Sequence, residues 1–401
     1  MRKLYLLAAG AMLASSAFAS VSSFRSADKL FQLHTTELGI SAYDSANLPT
    51  LAVLEGNLIV CEGDGSNKLS AFNGTTGAFL GSVTLEGISC GSITNDAAGN
   101  LLIVNKAAAG EDVKIYSTSS INTMPELLIS FKNDTDLPCG IKMTANGDID
   151  GQAVIALPLE GVAGVTTSTR VQVVTINGGT ATAAVQDLNG AVAGWSAGAN
   201  MAGFATRSND LADGFFSSAY GTTFCYVSAA GEVSGNFSND TTGWGLNPNF
   251  MDSKLFNDHK YLALFVESHF PAWGMGPEFY LYDVTDMANF TGTAVNDLAC
   301  LVYSDDDENY FQSGGTSTPW ACVVLYPDEA NKRLYAYALA HNSETLYGYL
   351  LSDPETEGVA DIEFDENAPV EYFNLQGIRV ANPENGIFIR RQGSNVAKVV
   401  L

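Results

Sequence analysis

The stretch from Cys90 to Asn105 reads as a strand, a tight turn on Gly99-Asn100 and a second strand, and variants of it recur along the chain. The first variant starts at Pro49, with strands over 50–54 and 58–61 around the turn Glu55-Gly56-Asn57, then further strands over 68–72 and 78–85. The second starts at Cys90 and continues through 113–116 and 127–131; the third starts at Cys139, with its turn at Asn146-Gly147-Asp148. A weaker fourth runs from Gly203 to Phe237. A fifth is built on the turn Asn257-Asp258-His259-Lys260, and a sixth runs from Trp320 to Leu351. Each strand is short, rich in Val, Ile, Leu, Tyr and Phe, and bounded by Gly, Asn or Asp turns.

A four-stranded unit of this kind carries apolar residues on both faces and cannot bury them alone. Neighbouring units must stack, and radial closure removes the open ends. The reading is all-β: a β-propeller of four-stranded blades, six in number, or seven if the long interval between Val284 and Trp320 hides another. The sixth blade lacks an outer strand, whereas the segment 29–34 precedes the first blade without one of its own. That N-terminal strand is expected to complete the last blade and close the ring. A two-sheet sandwich shares the short-strand pattern and is the rival architecture. Amphipathic helical periodicity is nearly absent from the body, which argues against an α/β enzyme fold.

The turns in Asp96-Ala97-Ala98-Gly99-Asn100-Leu101-Leu102-Ile103-Val104 and Pro327-Asp328-Glu329-Ala330-Asn331-Lys332-Arg333-Leu334-Tyr335-Ala336 resemble the inner hairpin of NHL-type and quinoprotein-like propeller blades. The resemblance implies a fold, and such propellers host both enzymes and binders.

The two ends read differently from the body. Arg2 and Lys3, the apolar run 4–13 and Ala17-Phe18-Ala19 form the pattern of a cleavable signal peptide over 1–19. The propeller is expected over 20–352. No later run reaches the roughly 18 apolar residues of a membrane span. A formal charge of -25 disfavours nucleic acid and anionic membrane as partners, both being polyanions. Six cysteines, Cys61, Cys90, Cys139, Cys225, Cys300 and Cys322, lack the paired spacing of a zinc site and read as buried thiols rather than bridges. An acidic linker spans 353–369, and short strands with Gly turns follow over 370–401, three in all. Tyr372, Gln376-Gly377, Val380, Gly386, Phe388, Arg390, Lys398 and Val399 give this tail a resemblance to the C-terminal sorting domain of the type IX secretion system of Gram-negative bacteria. The resemblance implies a secretion-machinery partner and an extracellular or outer-surface address, the periplasm being the alternative. A small β-appendage is the other reading of the tail.

In a propeller the start of each inner strand and the end of the next face one channel mouth. Strand starts there contribute Thr50, Cys90, Cys139 and Trp320. Strand ends contribute Glu62, Asn105, Lys106, the segment 267–273, His341 and Asn342. Convergent polar groups between aromatic walls describe a ligand pocket. Trp273 and Trp320, with Tyr310, carry flat rings suited to sugar faces. Glu267 and His269 are the ligand-binding groups beside them and, with His341, the acid–base candidates for catalysis. Asp305, Asp307 and Glu308 sit in an acidic loop that has oxygen ligands for calcium, the one cofactor the sequence suggests.

No linear catalytic motif, phosphate loop or dinucleotide fingerprint is present. The leading expectation is a non-catalytic binding module for a glycan or a protein, acting through the channel-mouth loops. A glycan lyase or hydrolase at the same mouth is the alternative, and a structural surface protein without a small ligand is the third.

Overall fold

A computed structural model describes residues 26–34, 49–62, 65–162, 165–188, 195, 203–218, 224–237, 250–266, 278–287, 290, 300–305, 321–340, 345–352, 369–374, 379–384, 386–392 and 395–400. The chain divides into two compact units, Met1–Asp353 and Pro354–Leu401.

The first unit opens with β1 (Ser26–His34). Six antiparallel four-stranded sheets follow. The first comprises β2 (Thr50–Leu54), β3 (Asn57–Cys61), β4 (Lys68–Asn73) and β5 (Phe79–Thr84); the second β6 (Ser92–Asn95), β7 (Leu101–Val104), β8 (Asp112–Thr118) and β9 (Glu126–Lys132). The third is β10 (Thr144–Gly147), β11 (Gln152–Pro158), β12 (Arg170–Asn177) and β13 (Thr180–Asp187); the fourth β14 (Gly203–Thr206), β15 (Phe215–Ser218), β16 (Phe224–Val227) and β17 (Val233–Phe237). The fifth is β18 (Phe250–Phe256), β19 (His259–Val266), β20 (Glu278–Asp283) and β21 (Cys300–Asp305). The sixth joins β22 (Ala321–Asp328), β23 (Arg333–Ala340) and β24 (Thr345–Ser352) to β1, which takes the outer place beside β24. β21 fills part of the interval in which the sequence allows a seventh unit. Among the described residues there is no α-helix; a 3-10 turn covers Leu211–Asp213, and no helix is long and apolar enough to cross a membrane.

The burial pattern explains why the sheets associate. The first strands β2, β6, β10 and β14 are buried at every position, while the outer strands β5, β9 and β13 alternate between exposed and half-buried. A strand covered on both faces needs a neighbouring sheet on each side. Each first strand accordingly touches the next: β2 meets β6, β6 meets β10, β10 meets β14, β14 meets β18, β18 meets β22, and β22 meets β2. The apolar cores lie between sheets. Ile59, Cys61, Cys90, Ile93 and Ile103 pack the first against the second; Val104, Cys139, Met143, Ile155 and Val174 pack the second against the third.

Two of the repeated turns share one internal clasp. Asp96 accepts hydrogen bonds from the Asn100 backbone (2.8 Å) and side-chain amide (2.9 Å), and Asp328 does the same for Asn331 (3.1 and 2.8 Å). Such Asx turns fix the hairpin locally and relieve the sheet of that task. β1 is held by packing as well as by its ladder. Phe31 is buried and stacks on Tyr337 with centroids 6.3 Å apart. Gly348 leaves room for its ring: a Cβ there lies 2.4 Å from it.

The second unit is a four-stranded antiparallel sheet in the order β26 (Arg379–Val380), β25 (Val370–Phe373), β27 (Ile387–Gln392), β28 (Asn395–Val400). It holds four strands, where the sequence suggests three. The two-residue β26 is too short to carry a hydrophobic pattern of its own.

Candidate functional site

The starts of the first strands and the ends of the second gather at one end of the sheets of the first unit. Cys90 and Cys139 are both fully buried there, each in a backbone bridge between sheets, to Ser66 and Ala107 respectively. The packing is close. Gly140 has φ of +103°, and a Cβ on it lies 2.2 Å from the Asn105 carbonyl oxygen, so only glycine fits. Burial, aided by the charge of Glu160, pushes the Cys139 thiol up to about 12. Asn105 is half-buried and works within its own sheet: its side-chain Oδ1 accepts from the Lys114 N–H at 2.6 Å, and its side-chain amide donates to the Asp112 oxygen at 3.0 Å. Lys106 is exposed, with Nζ 3.9 Å from Oε2 of the buried Glu160. Thr50 is buried and accepts from the Ile93 N–H at 2.9 Å. Glu62 accepts from Lys68 Nζ at 2.7 Å and Ser70 Oγ at 3.1 Å.

The same region contains Lys142, which the sequence reading does not single out. It is buried, with Nζ 5.2 Å above the Phe250 ring centroid. Burial pulls it down to about 7, and the nearby Cys322 works in the opposite direction. Cys322 itself donates to the Pro49 oxygen at 2.9 Å. Glu267, His269, Trp273, Asp307, Glu308, Tyr310, Trp320, His341 and Asn342 lie outside the described residues. Asp305 ends β21 opposite Glu278. Among the described residues no three His, Cys, Asp or Glu side chains group as metal ligands do.

The opposite end, where the hairpins turn, holds a cavity of about 330 Å³. Three consecutive sheets supply its polar lining, and Ala97 of the β6–β7 turn in the second sheet completes it. The β10–β11 hairpin supplies Asn146, Asp148 and Gln152; the segment after β14 supplies Arg207, Ser208, Asn209, Asp210 and Asp213; the β18–β19 hairpin supplies Leu255 and Lys260. The charged groups are fixed from behind. Arg207 Nε donates to the Val284 oxygen at 3.0 Å and Nη2 to the Thr285 oxygen at 2.6 Å, while Nη1 stands 3.8 Å from Asp213. Lys260 Nζ and Ser208 Oγ both donate to Asp213 Oδ2. Burial works upward on Asp213, but the hydrogen bonds from Lys260 and Ser208 and the charges of Lys260 and Arg207 outweigh it, holding the carboxyl below its ordinary value. Asp210 caps the 3-10 turn by accepting from Ala212 N–H at 2.9 Å, and Asp148 accepts from Asp150 N–H at 2.8 Å. Each spends one carboxylate oxygen on its own turn.

Beneath Asn146 lies a buried polar lattice. Asn146 Nδ2 donates to Ser253 Oγ at 2.9 Å, and Ser253 Oγ donates to the Thr206 oxygen. Lys254, fully buried, donates to Asp252 at 2.9 Å and to the Ala145 oxygen at 2.7 Å, while Asp252 also accepts from the Leu325 N–H at 2.8 Å. Burial raises the Asp252 carboxyl despite those donors. The lattice ties the third, fourth, fifth and sixth sheets together and gives the cavity a rigid base.

A family model described as a domain of unknown function, DUF8500, matches residues 29–352. The chain belongs to the DUF8500 family. The matched span runs from within β1 to the end of β24, so it takes in all six sheets of the first unit. No curated protein matches this DUF8500 chain. Among solved structures, it is similar to a DUF4623 family protein from Bacteroides eggerthii, at a TM-score of 0.53 and 14% identity over 82% of this chain and 77% of that one. At that identity the likeness is one of fold. A more distant likeness is to virginiamycin B lyase from Staphylococcus aureus, with a TM-score of 0.43 and 9% identity over 80% of this chain and 99% of that one; it is too remote to argue from.

The lining of the DUF8500 cavity is not apparent from sequence. Arg207 and Asp213 stand between β14 and β15, and Lys260 at the start of β19, where charged residues ordinarily mark solvated hairpins. The signal available is that polar residues fill the turns of three successive hairpins, and adjacent sheets place those turns side by side.

Proposed function

We propose that this DUF8500 protein is an exported six-bladed β-propeller that binds a glycan in the cavity at its hairpin end. The six-fold count draws support from the first strands, which touch in sequence from β2 round to β22 and back to β2. Export rests on the N-terminal pattern of a signal peptide and on the likeness of the tail to a type IX sorting domain, which together favour the outer surface of a Gram-negative cell.

The observation that carries the binding reading is the convergence of three hairpins on one cavity of about 330 Å³, within the usual range for ligand pockets. Its polar groups are preorganised by bonds made before any ligand arrives, so a ligand meets little ordering cost. Carboxylates that accept and amide and guanidinium groups that donate stand together, with Leu255 as an apolar surface. Sugar hydroxyls do both, and a saccharide also presents apolar CH faces. Acids and bases nearly balance in the lining, which favours a neutral ligand over a strongly charged one.

The test is a glycan array followed by calorimetry on the full chain. Gln152→Ala and Asp148→Asn, the latter keeping the acceptor for the Asp150 N–H, are expected to weaken binding of any hit at least tenfold while leaving the melting temperature in place. Absence of any glycan hit, or a hit indifferent to both substitutions, removes the proposal.

A further inference from the structure

The pairing of thiols at the first inter-sheet junction is the feature that the binding reading leaves unused. Cys61 ends β3, where it faces Thr50 on one side and Leu69 on the other. Cys90 lies on the approach to β6. Its N–H donates to the Ser66 oxygen at 2.7 Å and its oxygen accepts from the Gly65 N–H at 2.8 Å. Three residues on, the Ile93 N–H donates to Thr50 Oγ1 at 2.9 Å. The backbone at Cys90 is thus pinned to the segment just after Cys61, and the backbone at Ile93 to the residue opposite Cys61. The two side chains are fully buried in one cluster with Ile59, Ile93 and Ile103, and the Cys61 thiol is near enough to act on that of Cys90.

The next junction provides an internal comparison. Cys139 makes the same kind of backbone bridge, to Ala107, but the strand end that corresponds to Cys61 is Val104, which faces Ser92 as Cys61 faces Thr50. One junction therefore carries two thiols and its neighbour one.

We infer that Cys61 and Cys90 form a covalent bond between the first and second sheets when the chain folds in the presence of a disulfide oxidant. Two S–H bonds are lost and one S–S bond forms; the oxidant, a small-molecule disulfide such as oxidised glutathione, takes up the two electrons and two protons and leaves as two thiols. Exchange proceeds through a thiolate. In the folded reduced protein the Cys61 thiol and burial hold the Cys90 thiol well above its ordinary range, so the bond has to form while the junction is still open. The inference stands apart from the glycan reading and shares no residue with it.

The experiment is to unfold the full chain, refold it in mixed reduced and oxidised glutathione, denature, alkylate the remaining thiols and map the peptides without reduction. The expected result is a linked pair of peptides carrying Cys61 and Cys90 in most of the folded material, with Cys139 and Cys322 recovered as alkylated thiols. The linked protein is expected to melt several degrees above the Cys61→Ser/Cys90→Ser variant, and reduced wild type to melt with that variant. Folded protein in which Cys61 and Cys90 are both alkylated, or in which either is joined to another cysteine, overturns the inference. If refolding yields little, the same map on protein exported to the periplasm of an expression host gives the same two outcomes.

Discussion

Lys142 makes the stability of the first unit rise with pH, as a salt-bridged carboxylate does, but at neutral to alkaline pH and because a buried charge is lost rather than a paired one gained. The ammonium is buried above the Phe250 ring, and its proton leaves at about 7 instead of the ordinary 10.5. Between those two values the unfolded chain holds a proton that the folded chain has lost, so stability rises with pH through the interval and levels off above it. Below about 7 both states are protonated and the folded state bears the whole cost of the buried charge. At 1.36 kcal/mol per pKa unit the interval corresponds to about 5 kcal/mol, which is a ceiling because relaxation around the ammonium lowers it. Lys142→Met keeps most of the apolar stem against Phe204, Phe250 and Pro158 and removes the charge. The variant is expected to be more stable than wild type at pH 6 by as much as about 5 kcal/mol, with the advantage shrinking by about 1.4 kcal/mol per pH unit from 7 upward. Urea unfolding of both proteins at pH 6, 7.5 and 9 reads this directly, since titrations shared by the two chains cancel in the difference. Cys322, which works against burial on Lys142, is controlled with Cys322→Ser in both backgrounds. A difference that stays constant across pH, or a variant less stable than wild type at pH 6, refutes the reasoning.

Three further outcomes are expected. Lys254→Met leaves Asp252 buried without its cation and should cost about 3–5 kcal/mol, whereas the double change Asp252→Leu/Lys254→Met should recover much of that loss; denaturant unfolding of the single and double variants checks both. Phe31→Ala should cost about 3 kcal/mol or more by opening a cavity against Tyr337 and Gly348, and hydrogen exchange should then quicken in β24 before the rest of the sixth sheet. Gly140→Ala forces a side chain against the Asn105 carbonyl at a positive φ; a loss of more than about 2 kcal/mol in thermal unfolding is expected, and an unchanged melting temperature contradicts the close approach described for that junction.

Much of the architecture is legible in the residues themselves. Val, Ile and Leu strands between Gly and Asn turns specify four-stranded units, and the Asp96–Asn100 and Asp328–Asn331 clasps are visible as sequence because each closes within a few residues. The place of β1 follows from counting strands. β21 is harder to see: a long interval separates it from β20, and no short turn marks its start. The second unit hides β26 for the same lack of local signal. The site is less legible still. Position at a strand end selects Cys90, Cys139, Asn105 and Lys106, but the pleat and the inter-sheet bridges bury the two thiols and commit the Asn105 side chain to its own sheet. Burial of Lys142 and the grouping of Arg207, Asp213 and Lys260 depend on contacts between residues dozens of positions apart, which no periodicity encodes. The neighbouring thiols of Cys61 and Cys90 are masked by the apolar strands around them.

The pairing of β1 with β24 has a consequence for the order of events during synthesis. β1 finds its partner only in the last strand of the unit, with Ser26 opposite Ser352 and His34 opposite Thr345. Loop closure over such a separation adds little to the entropic cost once the intervening sheets are compact, but it postpones the step. Five sheets can assemble in turn as the chain emerges, each from strands adjacent in sequence, while β1 waits unpaired. The sixth sheet then forms last, and joining it fastens β1 and β24 in a single event. A chain halted before β24 keeps an exposed strand edge at its start, the kind of surface that recruits other strands. For this unit, then, synthesis of β24 and completion of the fold coincide.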